Sequence, residues 1–186
     1  MLHLINQLQL DETFKNIHKL FETSTICNIK CLSCGNIHSN VDCQLNIYMN
    51  TFHDWNFLDQ IQKELVSDYY CNKCSKYVNC HIYRKIQSLS SIVVLIIKQK
   101  YINPSSSSSS HWSSFVWHSS TDSNTQNYIL TSQIHHSGSY RSGHYYSTCK
   151  RSNEFYLFND SHFSKISNNK ILPNTTILMY SRSQII

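Results

Sequence analysis

Two Cys-x-x-Cys steps, Cys31-Leu32-Ser33-Cys34 and Cys71-Asn72-Lys73-Cys74, constrain the fold of this chain more than anything else in it. Two residues between cysteines is the spacing at which one tight turn aims both sulfurs at a single ion, and two such turns complete a tetrahedral four-sulfur zinc site. A chain built this way brings residues 31 and 71 together and lays two turn-bearing arms side by side. The stretch between them, which carries Trp55 and Phe57, then forms structure of its own. The alternatives are two unrelated pairs, or disulfides in an oxidising compartment. A structural Zn2+ contributes roughly 10–16 kcal/mol of apparent binding energy, against about 2–4 kcal/mol for a disulfide. A finger with little core of its own needs the stronger of these two supports. Cys27, Cys43, Cys80, His38 and His81 lie near the knuckles and are expected to be bystanders rather than ligands.

At 186 residues the chain can bury a sizeable core as one compact domain or two small lobes. Its formal charge of +5 comes from scattered Lys and Arg rather than a run, which argues against nucleic acid as a partner. Residues 1–20 interleave His3, Asn6, Gln7, Asp11, Glu12 and Lys15 with apolar positions, unlike a secretory signal. The longest apolar run, residues 92–97, is far short of the roughly 20 needed to cross a bilayer, so no membrane partner is expected. Cytoplasm or nucleus is the default compartment. There, eight cysteines point to metal or catalysis before disulfides.

Residues 4–21 place Leu4, Ile5, Leu8, Leu10, Phe14, Ile17, Leu20 and Phe21 largely at helical intervals, and Trp55, Phe57, Leu58, Ile61 and Leu65 repeat that spacing. Residues 26–47 and 69–77 predict hairpins around the two knuckles. Residues 91–98 are β-branched at nearly every position and predict a strand buried on both faces, central in its sheet. The serine run at 105–110, extended by Ser113, Ser114, Ser119 and Ser120, predicts an unpacked insertion over about 103–125. Residues 128–134, 144–150 and 155–158, joined by short polar connections, predict an antiparallel meander, and 175–181 a last strand.

The meander carries candidate chemistry. A histidine that opens a strand directly after glycine, as His144 follows Gly143, is exposed on one side and held close to backbone on the other, which suits a general base. Asn159 and Asp160 fall one hairpin later, within reach to accept a hydrogen bond from the imidazole and fix its tautomer. Taken alone, these pairs are weak signals.

Together they resemble the C-terminal half of the ubiquitin-specific protease family, whose histidine box runs Tyr-x-Leu, His-x-Gly, Gly-His-Tyr and Phe-(Asn/Asp)-Asp-Ser. Tyr128, Leu130, His136, Gly138, Gly143, His144, Tyr145, Phe158, Asn159, Asp160 and Ser161 supply it in order. Leu20-Phe21 before Cys31 resembles the lead into the family's fingers, and residues 92–98 its apolar strand, so the likeness spans about residues 5–180. It departs from the pattern at Ser90, Gln99, Lys100, Ser142 and Phe155.

The resemblance implies a partial papain-like α+β fold: a helical thumb remnant (1–25), zinc-ribbon fingers (26–85) and an antiparallel palm sheet (86–186). It implies ubiquitin or ubiquitinated proteins as partners and cysteine-type hydrolysis of the isopeptide bond after the ubiquitin C-terminal glycine. His144 would be the base and acid, Asn159 its orienting group and Asp160 a supporting one. Gly138, Gly143 and Tyr145 would line the channel for the ubiquitin tail. Cys31, Cys34, Cys71 and Cys74 would hold a structural Zn2+. The family's nucleophile sits in a Gly-Asn-Thr-Cys box, and none of the eight cysteines stands in one. The chain is therefore expected to be a fragment that lacks its nucleophile and is inactive alone, since losing one member of a catalytic unit costs on the order of 10⁶ in turnover. The alternatives are an inactive ubiquitin-binding scaffold and an unrelated zinc-ribbon module that binds nucleic acid.

Overall fold

The computed structural model describes residues 15–49, 62–97, 113–119, 125–139, 142–167, 171–172 and 174–183. These form one short helix, α1 (Lys15–Lys19), and two sheets. The first sheet contains β1 (Thr23–Cys31), β2 (Ile37–Gln44), β4 (Gln62–Cys71) and β5 (Lys76–Ser88) in the order β2-β1-β5-β4. The second contains β3 (Ile47–Met49), β6 (Ile92–Ile97), β8 (Thr125–Gly138), β9 (Gly143–Arg151), β10 (Glu154–Asn159), β11 (His162–Ile166) and β12 (Thr175–Arg182) in the order β11-β10-β9-β8-β12-β6-β3. In addition, β7 (Ser114–His118) pairs with β8.

The first sheet consists of two hairpins joined along β1 and β5, with Cys31 opposite Cys80. This pairing sets the two turns next to each other, and the Leu32 amide of one knuckle donates to the Asn79 carbonyl beside the other at 3.1 Å. β5 then leads into the second sheet. There the Thr23 hydroxyl donates to Ser90 Oγ at 3.1 Å, and the Tyr128 hydroxyl donates to the Ser90 carbonyl at 2.9 Å. The Ser90 backbone amide donates to Thr23 Oγ1 at 3.3 Å, a bond that proline could not make.

The core lies on one face of the second sheet. Val93, Leu95 and Ile97 of β6, Leu178 and Tyr180 of β12, and Tyr128 and Leu130 of β8 alternate inward and bury against one another. β6 is flanked on both sides, antiparallel to β12 and parallel to β3, and Val93, Val94 and Leu95 are all buried. A strand buried on both faces is what its composition predicts. It stands next to the β3 edge rather than at the sheet's centre.

Three further sequence expectations change. A helical thumb is not seen among the described residues, which contain only the five-residue α1, and Thr23 already opens β1. Most of the helical pattern at 4–21 and all of 55–61 lie outside the described residues. Leu65, counted in the second helical pattern, belongs to β4, where the ladder to β5 claims it opposite His81; tertiary pairing has overridden local spacing. The expected insertion over about 103–125 contains a packed strand. Phe115 and Trp117 of β7 are buried in the core, and Phe115 stacks on Tyr128 at 4.7 Å. The serine run at 105–110 itself lies outside the described residues.

Candidate functional site

The second cysteine of each knuckle is followed by a residue in the left-handed region, Gly35 (φ 71°) and Ser75 (φ 53°). In both turns the amide of that residue donates back to the carbonyl of the first cysteine, Gly35 to Cys31 at 3.0 Å and Ser75 to Cys71 at 2.8 Å. The repeat of this geometry in two hairpins brings four sulfurs together within 4.8 Å. Cys31 Sγ lies 3.8 Å from Cys74 Sγ, and Cys34 Sγ lies 3.7 Å from Cys71 Sγ. Four sulfurs about 2.3 Å from a tetrahedral ion would stand about 3.8 Å apart, so the cage fits a tetrahedral metal such as zinc. Without an ion two of the thiols are driven in opposite directions. The Cys34 amide at 3.5 Å draws Cys31 down to about 6, while hydrogen bonding with the Cys34 sulfur pushes Cys74 up to about 12. A divalent cation is what would make all four thiolates at once.

None of the other cysteines joins the group, and all eight are free of disulfides. Cys27 and Cys80 are buried in the ladder, and Cys43 and His38 are exposed on β2. His81 Nδ1 lies 3.4 Å from the Tyr83 hydroxyl.

At the far end of the second sheet the β8–β9 hairpin closes on a glycine pair, Gly138 opposite Gly143. Both must be glycine. Gly138 has φ 123°, and a Cβ there would stand 2.6 Å from both Gly143 Cα and the Ser142 carbonyl oxygen. A Cβ on Gly143 would meet the Ser137 carbonyl oxygen at 2.7 Å and the His136 ring. Across the neck the Ser139 amide donates to the Ser142 carbonyl at 2.7 Å. Tyr140 and Arg141 lie outside the described residues.

His144 follows directly, half exposed, and its Nε2–H donates to Asn159 Oδ1 at 2.5 Å. A carboxamide oxygen can only accept, so the bond leaves the proton on Nε2 and the lone pair on Nδ1. Asn159 is the last residue of β10. The two-residue turn after it puts Asp160 in the left-handed region (φ 52°), with its carboxylate 3.8 Å from His144 Nε2. Asp160 therefore adds charge rather than a hydrogen bond. The three residues come together as the sequence predicts. Tyr145 does not join them: alternation along β9 turns it to the opposite face, where its exposed ring lies 4.4 Å from His136.

Composition carries no sign of the polar wall behind the site. His135 is fully buried. Its Nδ1 lies 3.0 Å from Thr175 Oγ1, its Nε2 lies 3.4 Å from Thr148 Oγ1, and its ring stacks on Tyr146 at 4.8 Å. Asn174 Nδ2 in turn donates to the Tyr146 hydroxyl at 3.0 Å. Burial pushes the His135 imidazole down to about 4, so it is neutral near pH 7. The only signal for this wall in the sequence is a run of polar residues at positions whose alternation points inward.

No thiol faces His144. Cys149 lies on the Tyr145 side of β9 beside Ser132, and the other seven cysteines belong to the first sheet and its knuckles.

A family profile described as ubiquitin carboxyl-terminal hydrolase matches residues 3–180. The chain belongs to this family. No curated protein sequence matches it. Among solved structures, a chain of the SAGA DUB module of Ubp8, Sgf11, Sus1 and Sgf73 bound to monoubiquitin superposes with a TM-score of 0.67 at 24% identity, covering 91% of this chain and 42% of that one. A yeast SAGA DUB module with a mutant Sgf73 gives 0.72 at 24%, covering 96% and 44%. A SAGA DUB module bound to ubiquitin aldehyde gives 0.69 at 22%, covering 99% and 48%. These likenesses show the hydrolase fold, and the chain spans less than half the length of the chains it matches. Among the described residues of this ubiquitin carboxyl-terminal hydrolase family member, no helix is long and apolar enough to cross a membrane.

Proposed function

We propose that this chain is the zinc-finger and general-base part of a cysteine-type deubiquitinase. The observation that carries the reading is the bond from His144 Nε2–H to Asn159 Oδ1, set beside a neck that admits only glycine. With Nε2 occupied, Nδ1 takes the proton of an attacking thiol, and the imidazolium returns it to the lysine amine that leaves. Asn159 holds the ring, and the Asp160 carboxylate stands beside it, 3.8 Å from Nε2. Gly138 and Gly143 let the two strands close on each other without side chains, and in this reading the flat diglycine end of ubiquitin lies along that bare neck. Tyr145 lies on the other face and acts, in this reading, through the His136 ring that covers Gly143 rather than by touching the tail.

The attacking thiol is none of the eight cysteines here, so the 186 residues bind ubiquitin without cleaving it. Cys31, Cys34, Cys71 and Cys74 hold a structural Zn2+ that fixes the two hairpin tips. The fingers are the four-stranded sheet, and the palm begins where β5 gives way to β6. Ubiquitin binding by SAGA DUB modules supports the same assignment of partner.

The test is titration of the zinc-loaded chain with ubiquitin and with ubiquitin lacking its last two glycines, alongside hydrolysis of a fluorogenic ubiquitin C-terminal amide. Binding that weakens on loss of the glycines, without turnover, is expected. No binding with zinc present would sink the ubiquitin reading. Turnover that disappears in Cys149→Ser would place the nucleophile inside this chain.

A further inference from the structure

The strands that position His144 carry a second feature on their opposite face. Alternation along β10 sends Glu154, Tyr156 and Phe158 outward, where they meet Arg151 of β9 (opposite Glu154) and Lys165 and Phe163 of β11 (opposite Tyr156 and Phe158). Over them lies an open groove of about 420 Å3 lined by Arg151, Ser152, Glu154, Tyr156, Phe158 and Phe163. The Phe158 and Phe163 rings stack at 6.2 Å, yet Phe163 remains 70% exposed. An aromatic ring left this open beside a concave apolar surface is a place for another side chain.

The charges say which kind. Arg151 stands directly across from Glu154, the acid best placed to neutralise it. Glu154 is engaged elsewhere: Lys165 Nζ donates to Oε1 at 2.5 Å and the Tyr156 hydroxyl donates to Oε2 at 2.9 Å. Among the described residues Arg151 has no carboxylate partner. The groove thus ends in a guanidinium that no described carboxylate pairs, and its planar donors match a carboxylate.

We propose that this groove binds an extended peptide segment of a partner protein, with an aromatic or large aliphatic side chain against Phe158 and Phe163 and an acidic side chain on Arg151. Phe158 and Glu154 are four strand positions apart, about 13 Å, so the two anchors of an extended peptide stand three or four residues from each other. The groove faces away from His144, and its occupation leaves the glycine neck open. The inference therefore does not rest on the catalytic reading.

The probe is a displayed library of random ten-residue peptides, selected on the whole zinc-loaded chain. An apolar residue followed or preceded by Asp or Glu three or four positions away is the expected consensus. Replacing that acid by its amide should weaken binding about tenfold to the unaltered chain and leave binding to Arg151→Gln unchanged. Phe163→Ala, at an exposed position that the fold does not depend on, should weaken it as well, and amide shifts should centre on residues 151–163. Selected peptides without the acid, or equal affinity for the unaltered chain and Arg151→Gln, would overturn the proposal. So would concentration-dependent self-association lost in Phe163→Ala, which would make the occupant a second copy of this chain.

Discussion

Acidification should loosen this protein through His135, and the size of the effect follows from where that side chain sits. The imidazole is fully buried between two threonine hydroxyls and the Tyr146 ring, and burial lowers it from its ordinary 6.5 to about 4. In the unfolded chain it regains the ordinary value and binds a proton that the folded state refuses. The stabilising contribution is therefore complete above about pH 6.5 and is lost as pH falls toward 4. Linkage over that interval gives a loss of about 2 kcal/mol between pH 7 and pH 5, approaching about 3 kcal/mol near pH 4. The assay is equilibrium urea unfolding of the zinc-loaded protein at each pH, followed by tryptophan fluorescence, for the unaltered chain and for His135→Gln. Titration of the cysteine cage and of the other histidines is common to both proteins and cancels in the difference. The advantage of the unaltered chain over the variant should shrink by about 2 kcal/mol from pH 7 to pH 5. A difference that stays flat across that range would mean that the buried imidazole is protonated in the fold, and the reasoning would fail.

Three further outcomes are expected. Chelation or Cys71→Ser should unfold the first sheet while the second keeps its near-ultraviolet circular dichroism, with a loss on the order of 10 kcal/mol in the fingers; equal loss in both sheets would show that the cage supports the whole chain. Asn159→Ala should release His144 from its single tautomer, because the bond that holds the Nε2 proton is worth about 1 kcal/mol. Nitrogen chemical shifts of the imidazole would report it, and an unchanged tautomer would remove Asn159 from the orienting role. Ser75→Gly relieves a left-handed residue and should raise stability by up to about 1 kcal/mol in thermal unfolding, provided the Ser75 hydroxyl bond to the Asn72 carbonyl at 3.4 Å is as weak as its length suggests.

The parts of the fold that are readable in the sequence are those with a short-range physical signature. The cysteine spacings imply two adjacent turns, the β-branched run at β6 implies burial on both faces, and Gly143-His144 with Asn159-Asp160 implies a base beside an acceptor. Each of these needs only residues within one turn or one hairpin. The expectations that fail turn on which strand pairs and which face is covered, and spacing reports neither. Leu65 carries a helical spacing that is overruled by β5, the strand beyond the second knuckle with which β4 pairs. Phe115 and Trp117 stand among serines that suggest a loop, although burial is decided by which face of the sheet they meet. Tyr145 enters the site by motif and leaves it by the two-residue period of a strand. His135 gives no warning beyond its inward place in the alternation of β8, since a buried neutral imidazole and an exposed one are the same letter.

The strand order of the second sheet also bears on how the chain is made. β12 follows every other strand of that sheet in sequence, yet it lies between β6 and β8 and pairs with both. On a ribosome, β6 and β8 would emerge long before the element that joins them, each with an open edge and an apolar face. A premature stop before residue 175 would leave those edges free to recruit one another between molecules. Such truncations should therefore accumulate as insoluble β-rich aggregates, and the hydrophobic character of residues 175–182 is as much a safeguard during synthesis as a part of the finished core.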